Sequence, residues 1–178
     1  VVIPIIIGLI ALAEKTEYWR PWLLPFGCAL HASVVVACWL HLPDASAGGL
    51  FHIDSLSLLV LTLASAIFLV CSVYCLEYLR LRKERSNRLF IACLAFILGS
   101  VSLVCVTRHM GLLWVGMEAA TLAAAPLVHF NHTERSLEAT WKYLMMGSLG
   151  IGLALLGTFF LALSELPSKH YSDPLVLD

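Results

Sequence analysis

The sequence predicts an all-α integral membrane protein built as a bundle of about six transmembrane helices. One observation behind this prediction is composition: 60% of the 178 residues are hydrophobic, 13% are charged, and the mean hydropathy is +0.89. A soluble domain of this length needs many more polar residues to cover its surface. The other observation is that the apolar residues fall into long stretches separated by short polar segments. The chain is therefore expected to lie in a lipid bilayer. Its net charge of −1 says nothing about partners, and no nucleic-acid partner is predicted because the arginine-rich run 80–88 is only a nine-residue turn between spans.

The membrane spans can be counted because a helix needs about 20 residues to cross a hydrocarbon layer of roughly 30 Å. The first apolar stretch is too short and is interpreted as the end of a truncated helix, with a short or processed N-terminal segment as the alternative. It has neither the charged beginning nor the cleavage site of a signal peptide. The six stretches are 1–13, 21–42, 53–76, 89–106, 111–130 and 143–163.

The distribution of cations predicts the orientation of the bundle. Nine of the eleven Lys and Arg residues lie in the loops 14–20, 80–88 and 131–142. Short loops rich in Lys and Arg stay on the cytoplasmic side, so these three loops are predicted to be cytoplasmic. With an even number of spans, the N-terminus and the C-terminus are then both outside. The arginine-rich loop 80–88 is interpreted as a topology anchor rather than a specific lipid-binding site.

The linkers are short and no repeat is visible, so residues 1–178 are predicted to form a single transmembrane helical domain. All six cysteines lie within predicted spans, where they act as small apolar packing residues. The chain has no nucleophile elbow, phosphate-binding loop, zinc signature or dinucleotide fingerprint. We therefore predict no cofactor, no metal site and no catalytic centre of its own.

Glu118 is the candidate functional residue that stands out, because the stretch 111–130 has no other charged residue. A charge near the middle of a membrane helix costs roughly 2.5 to 3.5 kcal/mol on insertion scales, so it usually faces protein or water and has a function. On a helix it shares a face with Trp114, Thr121 and Ala125, a strip that can hold water. This pattern indicates proton or ion handling. The alternative is a protonated carboxyl that only joins two helices.

Three further residues are candidates: Lys142 joins Glu118 in proton translocation, and His129 and His31 are secondary. Lys142, at the start of the sixth span, is either a cation that reaches the membrane surface or a partner that pairs with Glu118 and tunes its proton affinity. His129 and His31 lie inside predicted spans and are candidates for a proton relay. For both histidines the alternative is a neutral ring that is hydrogen-bonded to a neighbouring helix.

Small residues predict how the last two helices pack. Ser148 with Gly152, and Gly150 with Ala154, form pairs of small residues four positions apart. Such pairs let neighbouring membrane helices approach closely. The fifth and sixth helices are therefore expected to pack against each other through these pairs.

Several segments resemble a known family of membrane proteins. They are Phe-His-Ile-Asp-Ser-Leu-Ser at 51–57, Leu-Trp-Val-Gly-Met-Glu-Ala-Ala-Thr-Leu at 113–122, Leu-Glu-Ala-Thr-Trp-Lys-Tyr-Leu at 137–144, and the glycine-rich run 150–158. The chain is similar to the antiporter-like, proton-conducting subunits of respiratory complex I, of Mrp-type sodium/proton antiporters and of membrane-bound group 4 hydrogenases. Among these, the hydrogenase-4 membrane protein of the F type is the most similar.

The resemblance implies a proton-translocating subunit of a larger ion-pumping or redox-coupled complex in a bacterial inner membrane. It implies a central proton-pathway role for Glu118 and a supporting role for Lys142. Its partners would be other membrane subunits. Family members have many more spans than this chain, so only the N-terminal part of the family fold is present.

Three explanations for the short chain stay open. It could be truncated, it could be a split subunit completed by a second polypeptide that supplies the missing helices, or it could be a shortened scaffold. As a scaffold it would anchor a hydrogenase-like or inorganic-carbon-uptake complex without a proton path of its own. A part in quinone or hydrogen redox chemistry is a further alternative, disfavoured because no cluster-ligand spacing occurs.

Overall fold

The computed structural model describes residues 1–13, 20–41, 50–81 and 87–165, and its architecture is helical. Within these residues, five helices are long and apolar enough to cross a membrane, and a shorter apolar helix precedes them. The predicted all-α membrane bundle is confirmed. The helices are α1 (Val2–Ala13), α2 (Arg20–Leu40), α3 (Ser55–Leu81), α4 (Arg88–Val106), α5 (Met110–Val128) and α6 (Glu134–Glu165), with a 3-10 turn at His129–Asn131.

Helix α6 begins nine residues before the predicted span, at a cap that the hydropathy pattern does not reveal. Thr133 Oγ1 accepts from the backbone N–H of Ser136 at 3.1 Å, and Ser136 Oγ accepts from that of Thr133 at 2.9 Å. This reciprocal pair satisfies two N–H groups that a helix start leaves free. Most of the predicted loop 131–142 is therefore helix, which corrects the sequence prediction. Of the other predicted cytoplasmic loops, residues 14–19 and 82–86 lie outside the described residues, as do 166–178.

Helix α4 is central to the packing. It contacts α1, α3 and α5, while α2 packs on α3, and α6 packs on α5. Two apolar clusters fill the interior of the described bundle. The first cluster contains Ile7, Ala11, Leu24, Cys28, Cys75, Leu79, Ile91, Ala92, Ala95 and Leu98. The second cluster contains Val35, Leu58 and Leu61, with Cys38, Ile53, Cys105 and Val106 packed against it.

The contact between α4 and α5 depends on a glycine. A Cβ added to Gly116 would lie 2.7 Å from Val104 Cγ2, closer than real side-chain contacts allow. The missing side chain lets the two helices approach, as small residues do in membrane bundles. This approach occurs two residues before Glu118.

Short backbone contacts hold the start of α3 against the turn between α4 and α5. His52 N–H donates to the Val106 carbonyl, and Arg108 N–H donates to the Leu50 carbonyl, both at 2.9 Å. His109 Nδ1 then accepts from the Gly111 N–H at 3.1 Å and caps α5. At its other end α5 contains Pro126, after which the chain passes into the 3-10 turn.

The predicted packing of α6 against α5 is confirmed, but of the predicted small-residue pairs only Ser148 is seen to make the contact, and the glycines do not. A Cβ added to Gly150, Gly152 or Gly157 would meet nothing within 4 Å in the described part of the chain. Besides Ser148, the contact involves Gly147, whose added Cβ would lie 3.7 Å from Thr121 Cγ2.

Candidate functional site

Glu118 lies in the middle of α5, at the junction with α6. It is the ninth of the helix's 19 residues, and its side chain is half-buried. Its Oε1 accepts a hydrogen bond from Ser148 Oγ of α6 at 3.2 Å. Thr121, one turn further along, donates to the Glu118 backbone carbonyl at 2.8 Å. The carboxyl group therefore sits inside the span of two membrane helices, next to a hydroxyl from the second one.

Ser148 is a site residue that sequence reasoning missed, because it was assigned only to helix packing. A hydroxyl group can both donate and accept a hydrogen bond. It can therefore remain the partner of Glu118 whether the carboxyl is ionised, when it only accepts, or protonated, when it also donates. The available sequence signal was a hydroxyl within an apolar span, which does not say which helix it faces.

Lys142 lies eight residues inside α6, not at its start. Its ammonium group pairs with the carboxylate of Glu138, one turn earlier on the same helix. The two side chains are 70% and 64% exposed. Along the helix axis Lys142 is about 9 Å from Ser148. Among the described residues Glu118 and Lys142 form no ion pair, so direct pairing of these two groups is not observed.

His129 lies just after α5, in the 3-10 turn. Its Nδ1 is 3.4 Å from Ser136 Oγ, and its ring packs edge-on against His132 with a centroid separation of 4.7 Å. The eleven residues between His129 and Glu118 correspond to about 16 Å along a helix. His129 therefore stands at the end of α5 and does not touch the carboxyl group.

His31 lies in the interior of the bundle, 4% exposed. Its Nδ1 is 2.9 Å from Ser65 Oγ of α3, and its Nε2 is 2.9 Å from Ser102 Oγ of α4. The structure thus does not bring the four predicted site residues together. Glu118, the Lys142 pair, His129 and His31 occupy four separate places.

The described residues contain no group of three or more His, Cys, Asp or Glu side chains that could hold a metal ion. The cysteines are all free thiols in helices. Trp114, one turn before Glu118, has a buried indole N–H that finds no acceptor among the described residues. Among the described residues, the side chains that hydrogen-bond to Glu118 are thus the hydroxyls of Ser148 and Thr121.

These features define a helical integral membrane protein with a carboxyl group at an interhelical junction. No family model matches the chain. Curated relatives do match it. A hydrogenase-4 component F homolog of Methylacidiphilum infernorum is 29% identical over 172 residues, covering 91% of this chain and 35% of the relative.

Two further relatives are NADH-quinone oxidoreductase subunits N. The Campylobacter jejuni protein is 23% identical, over 82% of this chain and 34% of the relative. The Thiobacillus denitrificans protein is 34% identical over 120 residues, 65% of this chain and 24% of the relative. The predicted resemblance to these two kinds of subunit is confirmed, and the chain spans about a third of the length of the first two relatives.

Proposed function

We propose that this chain is part of a membrane subunit that conducts protons within a larger redox-coupled or ion-pumping complex, and that Glu118 carries the proton. The observation that carries the proposal is the half-buried Glu118 carboxyl in mid-span, 3.2 Å from a hydroxyl on the next helix. The names of the relatives, a hydrogenase-4 component and NADH-quinone oxidoreductase subunits, support membership of a redox-coupled complex.

The physical case for Glu118 is that a carboxyl group at this depth is costly unless it is used. It has a partner in Ser148 that accommodates both protonation states. Its side chain is only partly buried, which leaves it accessible to a molecule that brings or removes a proton at the α5–α6 junction. These are the properties required of a group that alternately gains and loses a proton.

Lys142 has a supporting role in this proposal, exerted through its charge rather than through contact. Paired with Glu138, it forms a dipole whose field at Glu118 is weaker than that of a free ammonium. Opening the pair would expose the Glu118 carboxyl to the full positive charge of Lys142. Lys142 therefore influences the carboxyl group most when Glu138 is displaced or protonated.

The proposal also covers the two histidines and the orientation in the membrane. His129, beside Ser136 and His132, is a candidate relay at the end of α5 that we assign to the cytoplasmic side. His31, the second relay candidate, has both ring nitrogens engaged by serines, which favours a different role. We assign the chain to a bacterial inner membrane with both termini outside, as one domain among other membrane subunits.

The test is Glu118→Gln in the assembled complex, with proton flux measured in sealed vesicles. Glutamine keeps the shape and accepts from Ser148 but cannot release a proton, so flux should fall to background. Glu134→Gln, at the exposed first turn of α6, is the matched control and should leave flux unchanged. Undiminished flux in the Glu118 variant would remove the proposal.

A second candidate function is a membrane scaffold, favoured by the exposed side of α6. Gly150 and Gly157 face open space, which is where another membrane helix can approach closely. In this case Glu118→Gln leaves flux intact. Gly150→Leu, by contrast, would cause the partner subunits to separate during purification, which is measured by subunit recovery.

A further inference from the structure

Three buried polar side chains form a layer across three helices: His31 of α2, Ser65 of α3 and Ser102 of α4. They are 4%, 3% and 1% exposed. Each ring nitrogen of His31 has a serine oxygen at 2.9 Å, and the two serines belong to different helices. The imidazole therefore links α2 to α3 and α4 at one level.

The direction of these hydrogen bonds follows from Ser102. Its hydroxyl donates to the Leu98 carbonyl at 2.7 Å, so its oxygen is left to accept. His31 Nε2 then carries a proton and donates to Ser102. In the neutral ring Nδ1 carries no proton and accepts from Ser65. A neutral ring thus satisfies both contacts. Each of its nitrogens makes one hydrogen bond, and the two bonds differ in direction.

The layer lies between the two apolar clusters of the interior. On α2, Cys28 belongs to the first cluster and Val35 to the second, and His31 lies between them. The same order recurs on the other helices, as Leu98, Ser102 and Cys105 on α4 and as Phe68, Ser65 and Leu61 on α3. A polar layer is thus enclosed by an apolar layer on either side.

Such a layer specifies how the helices are aligned. Apolar contacts tolerate sliding, because one methyl group replaces another. A shift of one helix by a turn would place the serines against apolar neighbours and leave a buried ring nitrogen without a partner, which is costly. Buried polar groups fix the register of helices in this way in other helical assemblies.

We propose that His31, Ser65 and Ser102 form a register lock, a polar layer that fixes the position of α4 along its neighbours and therefore against α5, the helix that carries Glu118. In this proposal His31 is a positioning residue rather than a proton carrier. Val104 of α4 lies two residues after Ser102 and contacts Gly116, where an added Cβ would be 2.7 Å away. Gly116 lies two residues before Glu118. A shift of α4 therefore moves the backbone next to the carboxyl group.

The lock itself stands on the geometry of the layer, and only its effect on Glu118 rests on the proposed function. The test uses four variants of the full chain in the assembled complex. His31→Gln supplies one acceptor and a donor but cannot titrate. Ser65→Ala and Ser102→Ala each leave one ring nitrogen without its partner. Ser72→Ala is the matched control, since this buried serine of α3 donates to Leu69 of its own helix, and its cross-helix partner in the described residues is the Cys28 thiol, a weak hydrogen-bonding group.

Melting temperature in nanodiscs and proton flux across a range of pH are measured for each variant. Ser65→Ala and Ser102→Ala should melt at least about 2 °C below Ser72→Ala and show reduced flux. His31→Gln should match the wild type in melting temperature, in flux and in the shape of the flux-against-pH curve. Because glutamine cannot titrate, normal behaviour of His31→Gln would show that His31 acts in the register lock and does not carry protons.

Three results would overturn the lock. His31→Gln with a normal melting temperature but no flux would make His31 a proton carrier. Ser65→Ala and Ser102→Ala that melt like Ser72→Ala would show that the layer holds nothing in place. Melting of His31→Gln as early as the two alanine variants would show that the donor and acceptor are not what matters.

Failure of the proposed function has a different signature. If Glu118→Gln leaves flux intact while the melting pattern of the four variants is as expected, the lock stands without a link to proton transfer. If Glu118→Gln abolishes flux and the serine variants neither melt early nor lose flux, the proton role stands and the lock falls.

Discussion

Ser148 contributes to the candidate site by a direct hydrogen bond to the Glu118 carboxyl group. It is the cross-helix hydrogen-bond partner that the carboxyl group has among the described residues. A hydrogen bond to an ionised group typically contributes about 1.5 to 3 kcal/mol, and less when water can replace it. Because the Glu118 junction is half-buried, the effect of Ser148 should lie at the lower end of this range.

We therefore expect Ser148→Ala to lower proton flux about tenfold, which corresponds to about 1.4 kcal/mol. Ser148→Thr keeps the hydroxyl and should retain most of the flux. Flux is measured in vesicles at equal protein content. If the alanine and threonine variants behave alike, the hydroxyl plays no part and steric effects explain the change.

At the scale of the elements, two glycines in helices have opposite surroundings. Gly116 of α5 is pressed against Val104 of α4, while Gly152 of α6 faces open space. Both lie well inside their helices, so alanine improves helix propensity at each by roughly 1 kcal/mol. The contacts of the added methyl group decide the sign of the change in stability.

Gly116→Ala should destabilise the bundle by about 1 to 3 kcal/mol, because Val104 has to move in a packed interface. Gly152→Ala should be neutral or stabilising. Melting temperatures of the two variants in detergent provide the comparison. A stable Gly116→Ala protein would mean that α4 and α5 separate easily at this point.

At the scale of the whole molecule, the orientation in the membrane is the property to be tested. Asp54 and Glu134 are exposed residues near opposite ends of the bundle, one just before α3 and the other at the start of α6. Once the native cysteines are replaced, a cysteine at either position can be labelled by a maleimide that does not cross membranes. Lys and Arg distribution predicts that Glu134 is cytoplasmic and Asp54 is outside.

In intact cells we expect Asp54→Cys to be labelled and Glu134→Cys to be protected. In inverted vesicles the pattern should be reversed. Labelling of Glu134→Cys in intact cells would place the α5–α6 turn outside and contradict the predicted topology.

The sequence predicts the positions of the helices better than the contacts between their side chains. Hydropathy locates α2 to α5 within a few residues, because crossing a bilayer requires a long apolar run. Hydropathy misses the start of α6, because the helix begins before the apolar run. The charged residues of this first part, such as Glu134 and Glu138, are typical of a loop in a hydropathy pattern. Cross-helix partners such as Ser148 and Ser65 cannot be predicted from spacing, since they depend on which faces of two helices meet.

Pro126, near the end of α5, has a consequence for water in the bundle. A proline has no backbone N–H, so the Leu122 carbonyl does not receive the usual helical bond from residue 126. This oxygen lies about 6 Å beyond Glu118 along the axis, in the direction of His129. This carbonyl oxygen can accept a hydrogen bond from a water molecule within a mainly apolar helix. In a chain of water molecules between the Glu118 carboxyl and the His129 imidazole, the first molecule would bind to this oxygen.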